Sequence, residues 1–242
     1  MKGRKLKPSI LTLRKVVLLS LLLIFTTSCA STAKFTTTKL ESSLDRPKIL
    51  VFPIDVSLYE LTMAGIPEPK ADWTEKGKEN VYQALKETLR NKNTDLTLFK
   101  ENSEINDSNL QAYKFLKVVG NSIKNHHYAP FLKLPSKGDK FEWSVGNAGN
   151  VLKENYQADY ALYVNLIDHY SSGGRVALGV VLAAAGVVLG SGLEHGTAYL
   201  IDLKTGEVVW FNYLREGDFG DIRELSGSEE AITNLFKNFP SK

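Results

Sequence analysis

Few side chains in this sequence have the types and spacing that chemistry requires, and one of them stands alone. Cys29 is the only cysteine among 242 residues and follows Thr26, Thr27 and Ser28. A lone thiol closes no intrachain disulfide and has no second thiol for redox work, so covalent modification is the chemistry left to it. The four histidines are His126, His127, His169 and His195. Adjacent His126 and His127 cannot both face one metal from a regular helix, and no pair has the i, i+4 spacing of helical metal ligands. Asp168 with His169 and Glu194 with His195 flank the two ends of an uncharged run. They would meet as a metal or acid–base site only if that run folded back on itself. Gly173-Gly174-Arg175 lacks the Lys and Ser/Thr of a phosphate loop, and no G-x-S-x-G occurs. No catalytic residue, metal site or cofactor is expected.

The elements that position these groups begin with a leader. Residues 1–28 carry Lys2, Arg4, Lys5, Lys7, Arg14 and Lys15 ahead of an apolar run over 16–25. This is the n-region and h-region pattern of a secretory signal. The run is well short of the ~20 residues of a permanent membrane helix, so removal is expected. The Thr26-Thr27-Ser28-Cys29 stretch resembles the lipobox of bacterial lipoproteins, with Thr26 where Leu is usual. That resemblance implies lipidation at Cys29, which becomes the new N-terminus. Ala30, where an Asp would favour inner-membrane retention, points to an outer-membrane anchor facing the periplasm. Two or more acyl chains hold a protein stably on a bilayer. Removing the leader, with six basic residues and no acid, takes the formal net charge from +3 to −3. A mildly acidic mature chain without a basic stripe is not expected to bind nucleic acid.

Residues 29–46 read as a lipidated N-terminus and flexible tether, because the stretch is rich in Ser, Thr and charge without apolar periodicity. Its extended reach would be about 55–60 Å. Residues 47–242 then suit one α/β domain. The sequence predicts a buried strand over 48–56 interrupted at Pro53, and a loop over 63–69. An amphipathic helix follows, capped by Asp72 and Glu75 and burying Val81, Leu85 and Leu89. Further on come a strand over 95–99, a helix carrying Leu110, Tyr113, Leu116, Val119 and Ile123, and a weaker helix over 143–156. Strands over 160–168, 197–203 and 207–214 follow, the last two joined by a Lys204-Thr205-Gly206 turn. Ser226 and Glu229 cap a final helix that stops before Pro240. The order β-α-β-α-α-β-β-β-α implies helices packed on a mixed sheet of about five strands. Trp73, Trp143 and Trp210 read as core or rim anchors. Asp55, Glu60, Asp72 and Glu75 gather near one strand–helix junction, where capping accounts for the last two.

Several stretches together resemble a bacterial lipoprotein family of uncharacterised function. They are the lipobox, VFPIDVSLYELTMAGIPEPKADWTE (51–75), FEWSVG (141–146), ADYALYV (158–164), IDLKTGEVVWFN (201–212) and DIR (221–223). In element order the chain is similar to the α/β domains of the curli secretion channel lipoprotein and the TolB N-terminal domain. The resemblance implies an envelope location and carries no catalytic motif.

The remaining feature is the apolar insertion at 175–196, which has no charge between Arg175 and Glu194. On a helix, Leu178, Leu182, Leu189 and Leu193 share one face, and Gly179, Ala183, Gly186 and Gly190 form an adjacent stripe of small residues. Such stripes let helix backbones approach closely, which makes these eight residues the candidates for membrane contact or self-association. As one helix, 176–193 would span ~27 Å, just short of the hydrocarbon core. The near-mirror sequence is equally compatible with a β-hairpin. Three fates are open: packing against the domain or a sister subunit, touching the membrane, or joining the ordinary core. The leading expectation is a non-enzymatic, lipid-anchored binding or assembly module, partnered by an envelope protein or by its own copies. Its alternative is an oligomeric export or channel accessory whose insertion contacts the membrane. An envelope hydrolase using His169, Asp168 and His195 is a third expectation.

Overall fold

The computed structural model describes residues 32–100, 107–138 and 140–242; the leader, Cys29 and Ala30 lie outside them. A twelve-residue strand, β6 (Tyr160–Ser171), organises everything else. On one side it pairs antiparallel with β7 (Glu194–Asp202), which pairs with β8 (Val208–Leu214). On the other it is parallel first to β2 (Lys48–Val51) and then to β3 (Asp55–Leu61).

Between those two strands, Val51 faces Leu162 while Asp55 faces Asn165, so the register slips by one residue across Pro53. Proline has no N–H to give to a ladder, and a bulge is where a sheet tolerates it. The pairing therefore resumes beyond Pro53 and runs on to Leu61, past the expected strand limit at residue 56. β4 (Pro67–Pro69) covers the open edge of β3, and β5 (Asp95–Leu98) extends the sheet beyond β2. With β1 (Lys34–Phe35) on β8, the sheet has eight strands in place of about five. The additions are a two-residue strand, a strand with proline at both ends, and the second half of a run split at Pro53; none alternates long enough to declare itself.

Helices cover both faces, which is why β6, β7 and β8 are apolar almost throughout. On one face α1 (Ala71–Asn91) and α5 (Leu225–Leu235) bring Val81, Leu85, Leu89, Ile232 and Leu235 onto Leu162, Val164, Leu200 and Trp210. On the other, α2 (Asp107–Ile123) and α3 (Asn150–Tyr156) place Leu116, Ile123 and Leu152 against Phe52, Tyr163, Tyr199 and Phe211. Both expected capping boxes are replaced. α1 starts after Lys70, leaving Asp72 in its first turn, where a carboxylate favours the helix dipole; Glu75 pairs with Lys78 at 2.8 Å. α5 starts after Glu224, with no side-chain cap, and Ser226 lies inside it.

Residues 32–46 differ most from expectation. Thr32 Oγ1 lies 2.6 Å from the Tyr213 carbonyl and 2.7 Å from Asn212 Oδ1. β1 then pairs with Phe211 and Trp210. Leu40 is buried in the α1/α5 core and its N–H donates to Ser241 O at 3.0 Å. The Tyr160 hydroxyl bonds both backbone groups of Glu41. Composition suggested a tether because only Ala33 and Leu40 are buried apolar anchors here, whereas the backbone, the Thr32 and Ser42 hydroxyls and the Arg46 guanidinium supply the rest of the attachment.

Candidate functional site

The apolar insertion and the Asp168–His169 and Glu194–His195 pairs gather at the end of the sheet where β3 and β6 finish and β7 begins. From Ser171 the chain leaves the sheet as α4 (Gly173–Ala184), turns, and returns as extended chain to Glu194. The insertion is thus neither a single helix nor a β-hairpin, and no helix among the described residues is long and apolar enough to cross a membrane.

Local chemistry fixes this path. Ser172 caps α4, its Oγ accepting from Arg175 N at 3.3 Å. At the far end Val187 N–H reaches Leu182 O at 2.9 Å and Gly186 N–H reaches Ala183 O at 3.0 Å. Gly186 has φ +78. This is a Schellman motif, which needs a left-handed residue and ties off the last helical carbonyls. Gly186 therefore ends the helix and is not part of a packing stripe. The Arg175 guanidinium crosses to the Gly190 carbonyl at 2.6 Å, staples the returning arm to the helix, and lies against Gly65 in the β3–β4 turn. At the root, Gly192 (φ +99) passes so close to Leu61 and His169 that a Cβ would fall within 2.7–2.8 Å of their side chains.

The eight residues singled out from the sequence divide between two roles. Leu178, Gly179, Leu182 and Leu189 are half-buried, and the Leu189 side chain packs over Gly179. They hold helix and arm together. Ala183, Gly186, Gly190 and Leu193 are exposed. The face turned outward consists mainly of residues that sequence reasoning passed over, namely Val176, Val180, Val181, Val187 and Val188. Val180 and Val181 are 69% and 68% exposed and Val188 89%. Their signal was present in the 176, 180, 187 spacing, but the leucines, being larger, drew the assignment. Met63 and Ile66 in the β3–β4 turn, also exposed, extend the apolar surface beside Gly174. An exposed apolar surface of this kind marks a contact site.

Beneath the lobe, titratable groups bond to one another. On the α1 side, Arg223 grips Asp221 through Nη2–Oδ2 at 2.6 Å and Nε–Oδ1 at 2.9 Å. Its guanidinium lies 3.8 Å over the Tyr170 ring and 4.6 Å over the Trp73 ring. The Arg223 hydrogen bond holds the Asp221 carboxyl below the usual range. Tyr170 OH also bonds the buried Asp168, whose pKa is raised by burial, and accepts from Ile222 N at 3.1 Å. On the α2 side His169 packs edge-on against Tyr59, and its Nδ1 accepts from Leu193 N at 3.2 Å. His195 is buried, with neither ring nitrogen partnered among the described residues. Burial pushes its pKa down to about 4, helped by the Lys124 and His169 charges. Asp168 and the two histidines thus lie on opposite faces of the sheet, because adjacent strand residues point apart; the geometry does not assemble the acid–base triad that the hydrolase expectation needs. His126 and His127 lie on the π-turn after α2 (Lys124–Tyr128), and no metal-ligand group of three or more occurs among the described residues.

No protein-family model matches the chain, and no curated protein does. Among solved structures it is similar to the PelC dodecamer from Paraburkholderia phytofirmans, at 13% identity over 84% of this chain and 98% of that one, TM-score 0.35. It is also similar to lipoprotein GNA1162 from Neisseria meningitidis, at 13% identity over 69% and 80%, TM-score 0.30. The third is the LpoB C-terminal domain from Salmonella enterica, at 15% identity over 71% and 84%, TM-score 0.27. Similarity of this order does not carry function.

Proposed function

We propose that the chain is a lipid-anchored, non-enzymatic module of the bacterial cell envelope that works by docking through the lobe end of its sheet. One observation carries the reading: an uncharged lobe, braced at both roots by Ser172, Arg175 and Gly192, that turns its valines to solvent. A fold that stabilises itself has no use for such a surface, and a docking module does. The anchor is Cys29, and the Ala30 that follows it favours the periplasmic face of the outer membrane.

The test is incorporation of labelled palmitate in cells. The full chain is expected to take up label and fractionate with membranes. Cys29→Ala is expected to lose the label; retained label in that variant contradicts the anchor.

A second reading, an oligomeric export or channel accessory, is supported by further exposed apolar side chains. Phe115 and Val118 on α2 are exposed, as are Phe131 and Leu132 just beyond it. Two different apolar surfaces on one chain permit head-to-tail contacts that close into a ring. A ring-sized molar mass in light scattering would favour it.

A further inference from the structure

The packing of residues 32–46 changes what an anchor at Cys29 would do. A free tether would let the domain float tens of ångströms from the bilayer. Thr32, however, is fastened to Asn212 and Tyr213, and only Ala30 and Ser31 lie between it and Cys29, so at most ~11 Å of extended chain separates the two. The place of attachment also matters. Tyr213 faces Thr197, Thr197 faces Asn165, and from there β6 runs on to Ser171 while β7 begins at Glu194. The chain is therefore fastened on the half of the sheet from which the lobe emerges. The loop after β8 leans to the same place, since Glu216 bonds Ser191 and Gly217 N–H donates to Glu194 at 3.0 Å.

We propose that the outer valine face of the lobe seats in the lipid of the membrane that holds Cys29, as a second membrane contact encoded in the fold. This deepens the docking reading above and rests on it. The composition of the surface favours lipid over a protein partner. From Val176 to Gly190 there is no polar side chain and no aromatic one, whereas protein interfaces are anchored by Trp, Tyr and Arg and fixed in register by directional bonds. Lipid asks only for apolar area. The backbone sets the depth: α4 ties off its carbonyls in the Schellman turn, but the N–H groups of Val188 to Ser191 take no acceptor among the described residues. They need water or headgroups, so the lobe lies at the interface and does not cross the core.

The test uses residues 30–242 without lipid, which keep every core side chain, since all lie between Ala33 and Phe239. The probe is flotation with vesicles of phosphatidylethanolamine and phosphatidylglycerol, beside light scattering of the same protein. The native chain is expected to float, at low and raised salt alike. Val180→Asp with Val188→Asp is expected to lower the bound fraction about tenfold or more with an unchanged melting temperature, both side chains being exposed. A native chain that stays at the bottom overturns the proposal, as does a double variant that floats equally well. An oligomer that the same substitutions dissolve, without flotation, assigns the surface to a second copy. The anchor reading fails separately, through the palmitate label, which this unlipidated protein does not depend on.

Discussion

His195 is the residue whose burial has the clearest measurable consequence. Its folded pKa of about 4 lies below the ordinary value of 6.5. As pH falls, the unfolded chain therefore takes the proton first, so the stability present above pH 6.5 is lost on the way down to about pH 4. Between pH 7 and pH 5 the loss is about 2 kcal/mol. Burial raises the carboxyls of Asp168 and Glu194, which contribute with the opposite sign, so the comparison belongs to a variant. His195→Leu is expected to flatten the pH dependence by that amount in urea unfolding, and to be at least as stable at pH 7, because two unpartnered nitrogens leave the interior. An unchanged slope would mean that the imidazole is not buried as described. Arg223 illustrates what the sequence conceals at this scale. DIR was legible as a motif, but nothing in its spacing tells that the guanidinium closes back on Asp221 and lies against Tyr170 and Trp73.

Among the elements, those with a strong period were legible and those without were not. The β7–β8 hairpin announced itself through two apolar runs around the Asp202-to-Gly206 turn, where Asp202 Oδ1 accepts from Lys204 N at 2.7 Å and Thr205 N at 3.1 Å. α1 announced its buried face, though not its start. The segment over 32–46 could not be read, because isolated Leu40 reaches the core through backbone pairing that no local pattern reveals. Leu40→Ala is expected to cost about 2–5 kcal/mol in urea unfolding; a change within ~0.5 kcal/mol, usual for a surface site, would return the segment to a free tether. In the lobe, the spacing of leucines and glycines fitted one long helix as well as a hairpin. The Gly186 turn decided between them, and a left-handed glycine cannot be told from a packing glycine by sequence alone.

For the whole molecule, the position of the attachment joins the two scales below it. On the proposed reading the leader and lone Cys29 take the chain to a membrane, and a fastened Thr32 leaves only two intervening residues of slack. The uncharged lobe on the same half of the sheet then becomes a second point of contact, and two contacts orient a domain where one does not. The chain offers a direct way to see this, because acylation would use its only thiol. In the lipidated protein, Val188→Cys carries the single free sulfhydryl, to which an environment-sensitive fluorophore is attached before reconstitution into vesicles. A blue-shifted, lipid-quenched emission at position 188 is the expected result, and the same label placed on α1 at Lys86→Cys stays aqueous. Emission at 188 as water-exposed as at 86 would contradict the account, leaving the lobe outside the bilayer.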